Sequence, residues 1–576
     1  MAATTETGTA RFPQGEQDLL FRRPVHVVTA HRIEEVQPAL ERIEQEVAGG
    51  CYTAGFLAYE AAPAFDSAFC VHHPGELPLL WFGLYEKPER IERAAGGTGG
   101  FRVGQWQALV SEPKYRHAVA HIHERIAAGD TYQVNYTFPL IAAFEGDALA
   151  WFQHLCTAQS GGNRAYVDTG RFKVLSVSPE LFFSLEQGEV LTRPMKGTRP
   201  RGRWPEADRY FAQALRSSEK EQAENVMIVD LLRNDLGRLG TTGSVKVRSL
   251  YEVERYETVW QMTSTVSAAT QACVPEVFAA LFPSGSVTGA PKIEAMKIIR
   301  ALEPHPRGVY CGTVGWWAPG RRARFNVAIR TVTVDAQRGE ARYAAGSGIT
   351  WDSQAAAEYR ECLDKAAVLS FHRPPFALLE SLLHTEAGYF LIDRHLDRLA
   401  ASAAYFGFSA DMATIQRTLA EYGRSLSASP AKVRLLLDRN GTVHIEHAAA
   451  PSACRVRVGF AVEPVDSRDV FLYHKTTHRE VYTQACAARP DCDDVLLWNE
   501  RGEITESSTA NMVIEARDGR YTPPVSSGLL AGTYRAQLLE SGQIREAVLT
   551  KRDVQAAQAI FLINAVRKWV QVDFAD

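Results

Sequence analysis

A chain of 576 residues is too long for one hydrophobic core, so at least two domains are expected. Its 46% hydrophobic and 23% charged residues are those of a soluble globular protein, and no apolar run reaches membrane-spanning length. A net charge of −4 argues against nucleic acid or an anionic membrane as the main partner. The nine cysteines are odd in number and form no Cys-x-x-Cys pair, which predicts reduced thiols rather than disulfides or zinc. Met1 to Gln14 is polar and lacks an apolar signal core, so a cytoplasmic location is expected.

In chain order, the Gly-rich stretch Ala95 to Gly100 reads as a loop. Phe172 to Ser178 reads as a strand, and Leu181 to Leu185 and Glu189 to Met195 as a hairpin around Gln187-Gly188. Lys196 follows where the last strand is expected to end, a place where a side chain can be aimed into a cleft. Buried beside cations or in apolar surroundings, a lysine can lose its proton and attack carbon. A solvated lysine fits the same position.

Glu221 and Glu224 follow with i, i+3 spacing, which puts both on one helix face. Ser218-x-x-Glu221 also reads as a capping box, which accounts for Glu221 without any ligand. Glu224 shares its face with Ile228 and Leu231, and a core-facing carboxylate needs a partner. Phe282 to Lys292 is a Gly-rich turn into a helix, with Pro291 near the first turn. Its free backbone N–H groups suit an anion, although an ordinary helix start fits as well. Glu358 and Glu361 repeat the i, i+3 spacing in the helix-like segment Ser353 to Ser370. Two helices presenting two glutamates each could hold a hard divalent cation, or could be solvated faces. That segment stops at His372-Arg373-Pro374-Pro375, and a strand-rich pattern begins at Phe376. Residues 1–370 and 371–576 are therefore expected to form the two domains.

The run Thr192-Arg193-Pro194-Met195-Lys196-Gly197-Thr198, after Ser178-Pro179-Glu180-Leu181-Phe182, resembles the chorismate-utilising enzymes. It is most similar to their aminodeoxychorismate synthase component I branch, which the lysine marks; anthranilate synthases carry alanine there. Gly129 to Asn135, Arg307 to Gly312, Ile329-Arg330-Thr331 and Ala345 to Ile349 extend the resemblance over residues 15 to 370. It implies that Glu224 and Glu361 bind Mg2+ directly against the substrate's ring carboxylate, with Glu221 and Glu358 acting more through water. Tyr310, Arg330 and the backbone of Gly346, Ser347 and Gly348 would clamp the enolpyruvyl carboxylate, with Thr288 in the Gly-rich turn as a further substrate contact. An arginine suits this because its fork meets a carboxylate bidentately. Glu180 would protonate the departing C4 hydroxyl. Gln261 stands where relatives often carry a histidine associated with pyruvate elimination.

Residues 376 to 576 resemble 4-amino-4-deoxychorismate lyase and other fold-type IV pyridoxal-phosphate enzymes. Asp393 to Leu399 looks like the helix start whose arginine, here Arg398, grips the cofactor phosphate. Tyr473 to His478 supplies Lys475 as the lysine that would bind pyridoxal 5'-phosphate. Gly502 to Asn511 supplies Glu506 for the ring nitrogen. Gly532-Thr533-Tyr534-Arg535 and Ile563-Asn564-Ala565-Val566 look like the two phosphate-cradling turns, with Ala565 where a hydroxyl residue is usual.

The implied fold is α+β: a two-sheet β-sandwich with outer helices, followed by a fold-type IV α/β domain. The implied function is p-aminobenzoate synthesis in the folate pathway, by an aminodeoxychorismate synthase and a lyase on one chain. No glutaminase motif stands out, so ammonia is expected from a separate glutamine amidotransferase subunit. A homodimer through the second domain is also expected. Two alternatives stay open: an anthranilate- or isochorismate-type synthase fused to a fold-type IV aminotransferase, and a non-catalytic docking module in the second domain.

Overall fold

The computed structural model describes residues 7–15, 17–92, 99–159, 161–370, 374–426, 430–451 and 455–575. Residues 1–6 of the polar N-terminus, 95–98 of the Gly-rich loop, and His372 and Arg373 at the expected junction lie outside the described residues. The chain divides into two compact units. The first comprises Met1–Pro200 and Ala212–Arg373, and the second Arg201–Phe211 and Pro374–Asp576. No composition shift marks the short segment Arg201–Phe211, so its membership of the second unit was not legible in the sequence.

Among the described residues, the first unit holds an 11-stranded and a 10-stranded sheet, both built from antiparallel pairs. A shared core fills the space between them, with Phe12 and Phe21 from one sheet and Phe56, Trp81 and Tyr85 from the other. Helices cover the outer faces. Ile33–Ala48, Glu219–Gly237 and Val274–Leu281 pack on the 10-stranded sheet through Ile43, Ile228 and Phe278. Glu112–Ala127, Ala148–Ala158 and Lys292–Leu302 pack on the other through Tyr115, Trp151 and Ile299. The sandwich with outer helices is the expected architecture.

The strand Phe172–Ser178 forms, as does the hairpin of Leu181–Glu186 and Glu189–Arg193. Gln187 and Gly188 turn it with φ of 50° and 77°, the left-handed pair that matches strand twist. One expectation is corrected: Lys196 does not end a strand. Pro194, which has no N–H for the ladder, interrupts the strand, and pairing resumes as Met195–Pro200 against Val259–Ala269. Lys196 is the second residue of that new strand, and the register slips between Met195 and Thr198. Gly197 sits in the slip with φ 104°, a conformation that favours glycine.

The capping-box reading of Glu221 is half correct. Ser218 Oγ accepts from Glu221 N at 3.5 Å, but Ser218 N donates to the Leu215 carbonyl rather than to the Glu221 side chain. Helix Ala355–Ala366 carries the other pair of glutamates.

The second unit has a four-stranded antiparallel sheet and an eight-stranded mixed sheet among its described residues. Strand Leu378–Thr385 opens the first, and helices Ile392–Phe406 and Met412–Ser425 pack on it through Leu399, Phe406 and Leu419. In the second sheet, Val456–Phe460 runs parallel to both Asp494–Trp498 and Lys568–Phe574. Within this unit Trp204 stacks on Tyr473 at 5.3 Å, and the Arg201 guanidinium lies 4.2 Å over the Tyr405 ring.

Candidate active sites

Lys196 Nζ lies 3.1 Å from Glu224 Oε2, and the two side chains are each only 18% exposed. Three contacts fix the strand that carries this lysine. Asn225 Nδ2 donates to the Lys196 carbonyl at 3.3 Å, Gln261 Nε2 donates to the Gly197 carbonyl at 2.9 Å, and Thr198 Oγ1 donates to Gln261 Oε1 at 3.1 Å. Gln261 therefore acts as a brace for the turn after Lys196. Glu180 is buried beside the lysine, where burial pushes its carboxyl up to about 7, against the opposing pull of a hydrogen bond from Ser286 and the charge of Lys196. Ser286 Oγ donates to Glu180 Oε1 at 2.7 Å, a partner the sequence motifs did not single out.

Gly348, on strand Glu340–Ile349, keeps this space open. A Cβ there would stand 2.7 Å from Lys196 Nζ and 2.8 Å from Gln133 Nε2. The bare backbone thus admits the amine and the Gln133 amide to one point.

Of the four glutamates, Glu224 pairs with Lys196, and the charge of Lys196 also acts on Glu221 and Glu361. Burial raises the Glu221 carboxyl, and the negative charge of Glu224 adds to the effect. The Glu361 side chain is half exposed, and Lys365, at 2.8 Å, holds its carboxyl below the ordinary value. Glu358 accepts a hydrogen bond from Ser347 Oγ. Among the described residues no three acidic, His or Cys side chains close on a single point. The donor set nonetheless fits a hard cation such as Mg2+: every ligand is a carboxylate oxygen, and the crowding of Glu221 by Glu224 is relieved by positive charge.

The other substrate candidates are spread around this centre. Lys365 Nζ donates to the Gly346 carbonyl at 2.9 Å. Thr288 Oγ1 donates to the Ser284 carbonyl at 3.0 Å, so it braces the Gly-rich turn. Pro291 caps helix Lys292–Leu302, and Lys292 Nζ is tied to Asp235 at 3.3 Å. Tyr310 is buried, and burial raises its hydroxyl well above the ordinary value. Arg330 has φ 47° and donates to the Gln159 side chain, and burial lowers its guanidinium. A carboxylate ligand would supply the counterion that amide does not.

In the second unit a cavity of about 670 Å3 is lined by Arg398, Lys475, Glu506, Thr533, Asn564 and Ala565. Burial, aided by the Arg398 charge, lowers the Lys475 amine to about 8, and burial raises the Glu506 carboxyl to about 7. Tyr482 Oη donates to Glu506 Oε1 at 2.9 Å, and Asn511 Nδ2 to Oε2 at 3.1 Å. Arg398 grips Glu380 with bonds of 2.9 and 2.7 Å. Glu380 also meets His395 Nδ1 at 2.6 Å, and His395 Nε2 lies 3.3 Å from Thr533 Oγ1. Against the cost of burial, Arg398 and His395 hold the Glu380 carboxyl down to about 2. The sequence motifs missed Glu380 and Tyr482, each of which orients a residue they did name.

Helix Thr533–Glu540 points its first turn at the cavity, capped by Gly532. The Asn564 side-chain Oδ1 accepts from Val566 N at 3.0 Å and Arg567 N at 2.8 Å, which shapes the second turn. Tyr534 departs from expectation: its ring packs into the core with Val513, Leu538 and Ile563 and does not line the cavity. An arginine, a helix N-terminus and a turn at one end, with a buried lysine and a carboxyl along the wall, fit pyridoxal phosphate.

Residues 4–370 match the profile of the chorismate binding enzymes, and residues 377–573 match amino-transferase class IV. Aminodeoxychorismate synthase component 1 of Salmonella typhimurium is 41% identical over 51% of this chain and 63% of its own length. The chain thus spans about three fifths of the length of that relative. Anthranilate synthase component 1 of Methanothermobacter thermautotrophicus is 34% identical over 54% of this chain and 72% of its own. The structure of anthranilate synthase component I from Streptococcus pneumoniae superposes with a TM-score of 0.55 at 24% identity, covering 62% of this chain and 93% of that one. That likeness shows the fold of the first unit.

Proposed function

We propose, for a chain that belongs to the chorismate binding enzyme family and continues into a region matching the class IV amino-transferases, a two-step synthesis of p-aminobenzoate. Chorismate and ammonia become 4-amino-4-deoxychorismate in a domain of residues 1–370, and a domain of residues 371–576 then eliminates pyruvate. Ammonia comes from a separate glutamine amidotransferase subunit, as the component 1 naming of the bacterial relatives suggests. The observation that carries the reading is the pairing of Lys196 with Glu224 beside a buried, readily protonated Glu180.

Glu224 and Glu361, with Glu221 and Glu358, would hold Mg2+, which neutralises the substrate's ring carboxylate. Glu180 carries its proton up to a pH of about 7 and delivers it to the C4 hydroxyl. Lys196 Nζ, as the free amine, bonds to C2; the C1=C2 and C5=C6 double bonds shift to C1=C6 and C4=C5; and the C4–O bond breaks with loss of water. Ammonia then bonds to C4, both double bonds shift back, and Lys196 leaves C2 as the amine. Chorismate plus ammonia thus balances the amino product plus water. Arg330 and Tyr310 orient the enolpyruvyl carboxylate, and the Gly346–Gly348 backbone closes on it.

Arg398, Thr533 and the Asn564–Ala565 turn would hold the phosphate of pyridoxal phosphate, Lys475 its aldehyde carbon and Glu506 its ring nitrogen. The bound cofactor supplies an electron sink for carbanion charge. Lys475 Nζ takes the C4 proton of the amino product, an exchange favoured by an amine that titrates near 8. The C3–O bond then breaks, and the ring becomes aromatic as enolpyruvate leaves. The test is to incubate the protein with chorismate, Mg2+, pyridoxal phosphate and an ammonium salt and to identify products by mass spectrometry. p-Aminobenzoate and pyruvate are expected; anthranilate as product overturns the reading.

A further inference from the structure

We infer that Gln133 contacts the substrate in the first site, its Nε2 donating a hydrogen bond to the ring carboxylate beside the carbon that Lys196 attacks. The inference rests on the proposed chorismate chemistry and adds a residue to it. Gln133 is fully buried, and neither Nε2 nor Oε1 has a hydrogen-bond partner. Among the described residues it is the one side chain with both polar atoms buried and unpaired. Buried amides are almost always satisfied, so an amide with neither end bonded calls for a ligand.

The geometry says where that ligand lies. Gln133 opens strand Gln133–Gly146, and its backbone is held on two sides: Ala290 faces it in the neighbouring strand, and Thr131 Oγ1 donates to its carbonyl at 3.0 Å. The side chain is therefore aimed by a fixed backbone. Its Nε2 lies 2.8 Å from the point where a Gly348 Cβ would stand, and Lys196 Nζ lies 2.7 Å from the same point. Amide and amine thus converge over Gly348, close enough that a Cβ there would clash with both, which places Gln133 Nε2 beside the proposed nucleophile.

The chemistry suits an amide there. In chorismate, C2 is flanked by the ring carboxylate on C1 and the ether oxygen on C3. The carboxylate is the stronger acceptor, and Glu224, beside Lys196, belongs to the acidic group proposed to hold it through Mg2+. A cationic side chain in place of Gln133 would repel Lys196, and an acidic one would repel the substrate. A neutral donor binds the carboxylate without changing the charge around the nucleophile.

The test separates a ligand contact from a structural one. Gln133→Leu keeps the volume, removes both unpaired polar atoms and so leaves the unliganded protein as stable as wild type or more so. Its affinity for chorismate in the presence of Mg2+, measured by calorimetry, should fall about tenfold or more, the loss expected for a hydrogen bond to a charged group. Gln133→Glu, matched in shape, should bind more weakly still, while each variant keeps wild-type conversion of added 4-amino-4-deoxychorismate. Wild-type affinity in Gln133→Leu, or a lower Tm with unchanged affinity, overturns the inference and leaves the functional reading standing. Wild-type protein that does not bind chorismate overturns both.

Discussion

Lys196 Nζ and Glu224 Oε2 form an ion pair at 3.1 Å, so the proposed nucleophile and a proposed metal ligand are each other's counterions in the unliganded protein. A cation bound at Glu224 competes with the lysine for one carboxylate. In the proposed mechanism, metal binding at Glu224 would thereby free the amine for attack.

Replacing the lysine tests its covalent role. Lys196→Ala should lower ammonia-dependent consumption of chorismate by at least about 100-fold, because no other group replaces a lost nucleophile. Conversion of added 4-amino-4-deoxychorismate should be unchanged. Full ammonia-dependent turnover in this variant would sink the covalent step.

The two helices can be told apart by single substitutions. Glu224→Gln and Glu361→Gln each remove a hard anionic ligand and should abolish measurable synthase activity, while Glu221→Gln should retain part of it. Mg2+ titration followed by calorimetry should show the same ranking. Undiminished turnover after treatment with EDTA would remove the metal from the mechanism.

The proton on Glu180 sets a pH dependence. Its carboxyl is raised from the ordinary 4.5 to about 7, so the acid form needed for the C4 hydroxyl is lost as pH rises above about 7. The kcat/KM of the synthase should fall on that alkaline side. The same shift means the folded state holds this proton more tightly than the unfolded chain, so the group costs stability as pH rises from 4.5 toward 7. The Ser286 hydrogen bond opposes the rise, so Ser286→Ala should move the alkaline limb to higher pH. A limb that stays in place would mean another group titrates there.

For the second unit, Lys475→Ala removes the cofactor anchor and the base together. The variant should release 4-amino-4-deoxychorismate and no p-aminobenzoate, and an added lyase should restore the aromatic product. Glu506→Ala should be milder, since the covalent attachment survives. Release of p-aminobenzoate at the wild-type rate by Lys475→Ala would favour the docking-module reading.

Glu380 ties together Arg398 and His395 at the wall of the cavity. It is 3% exposed and pairs with both Arg398 and His395. Glu380→Ala leaves a buried guanidinium without its counterion and should destabilise the second unit by about 3 kcal/mol. Affinity for pyridoxal phosphate, followed by absorbance, should fall as Arg398 loses its orientation. An unchanged melting curve would show that Arg398 finds another partner.

Much of the fold was legible because it follows from local rules. The Gln187-Gly188 turn and the strands around it and the i, i+3 spacing of the glutamates are set by neighbours in sequence, whereas the helix expected over Ser353 to Ser370 runs only from Ala355 to Ala366 and ends before the prolines. What escaped depends on distant partners. Lys196 was expected just past a strand Glu189 to Met195, but Pro194 breaks that strand and the long strand Val259–Ala269 takes up the chain again from Met195. Tyr534 reads as a cradle residue from its motif, and only the packing of Val513 and Ile563 turns its ring inward. Gln133 looks like any polar strand residue until its buried, unpaired amide is seen, and Glu380 looks like an ordinary strand glutamate until Arg398 and His395 converge on it.

The segment Arg201–Phe211 bears on how such a chain could ever be divided. It begins directly after the strand of Lys196, yet its residues cluster with Pro374–Asp576. There Trp204 covers Tyr473, and His474 Nε2 donates to the Arg203 carbonyl at 3.1 Å while its Nδ1 accepts from Ser402 Oγ at 2.9 Å. Those are the two residues immediately before Lys475. A gene split at the Pro374 seam would deliver a C-terminal product with the approach to its own lysine stripped of eleven residues encoded far upstream. A separately expressed second unit would need those residues, or a substitute for them, to cover Tyr473 and His474.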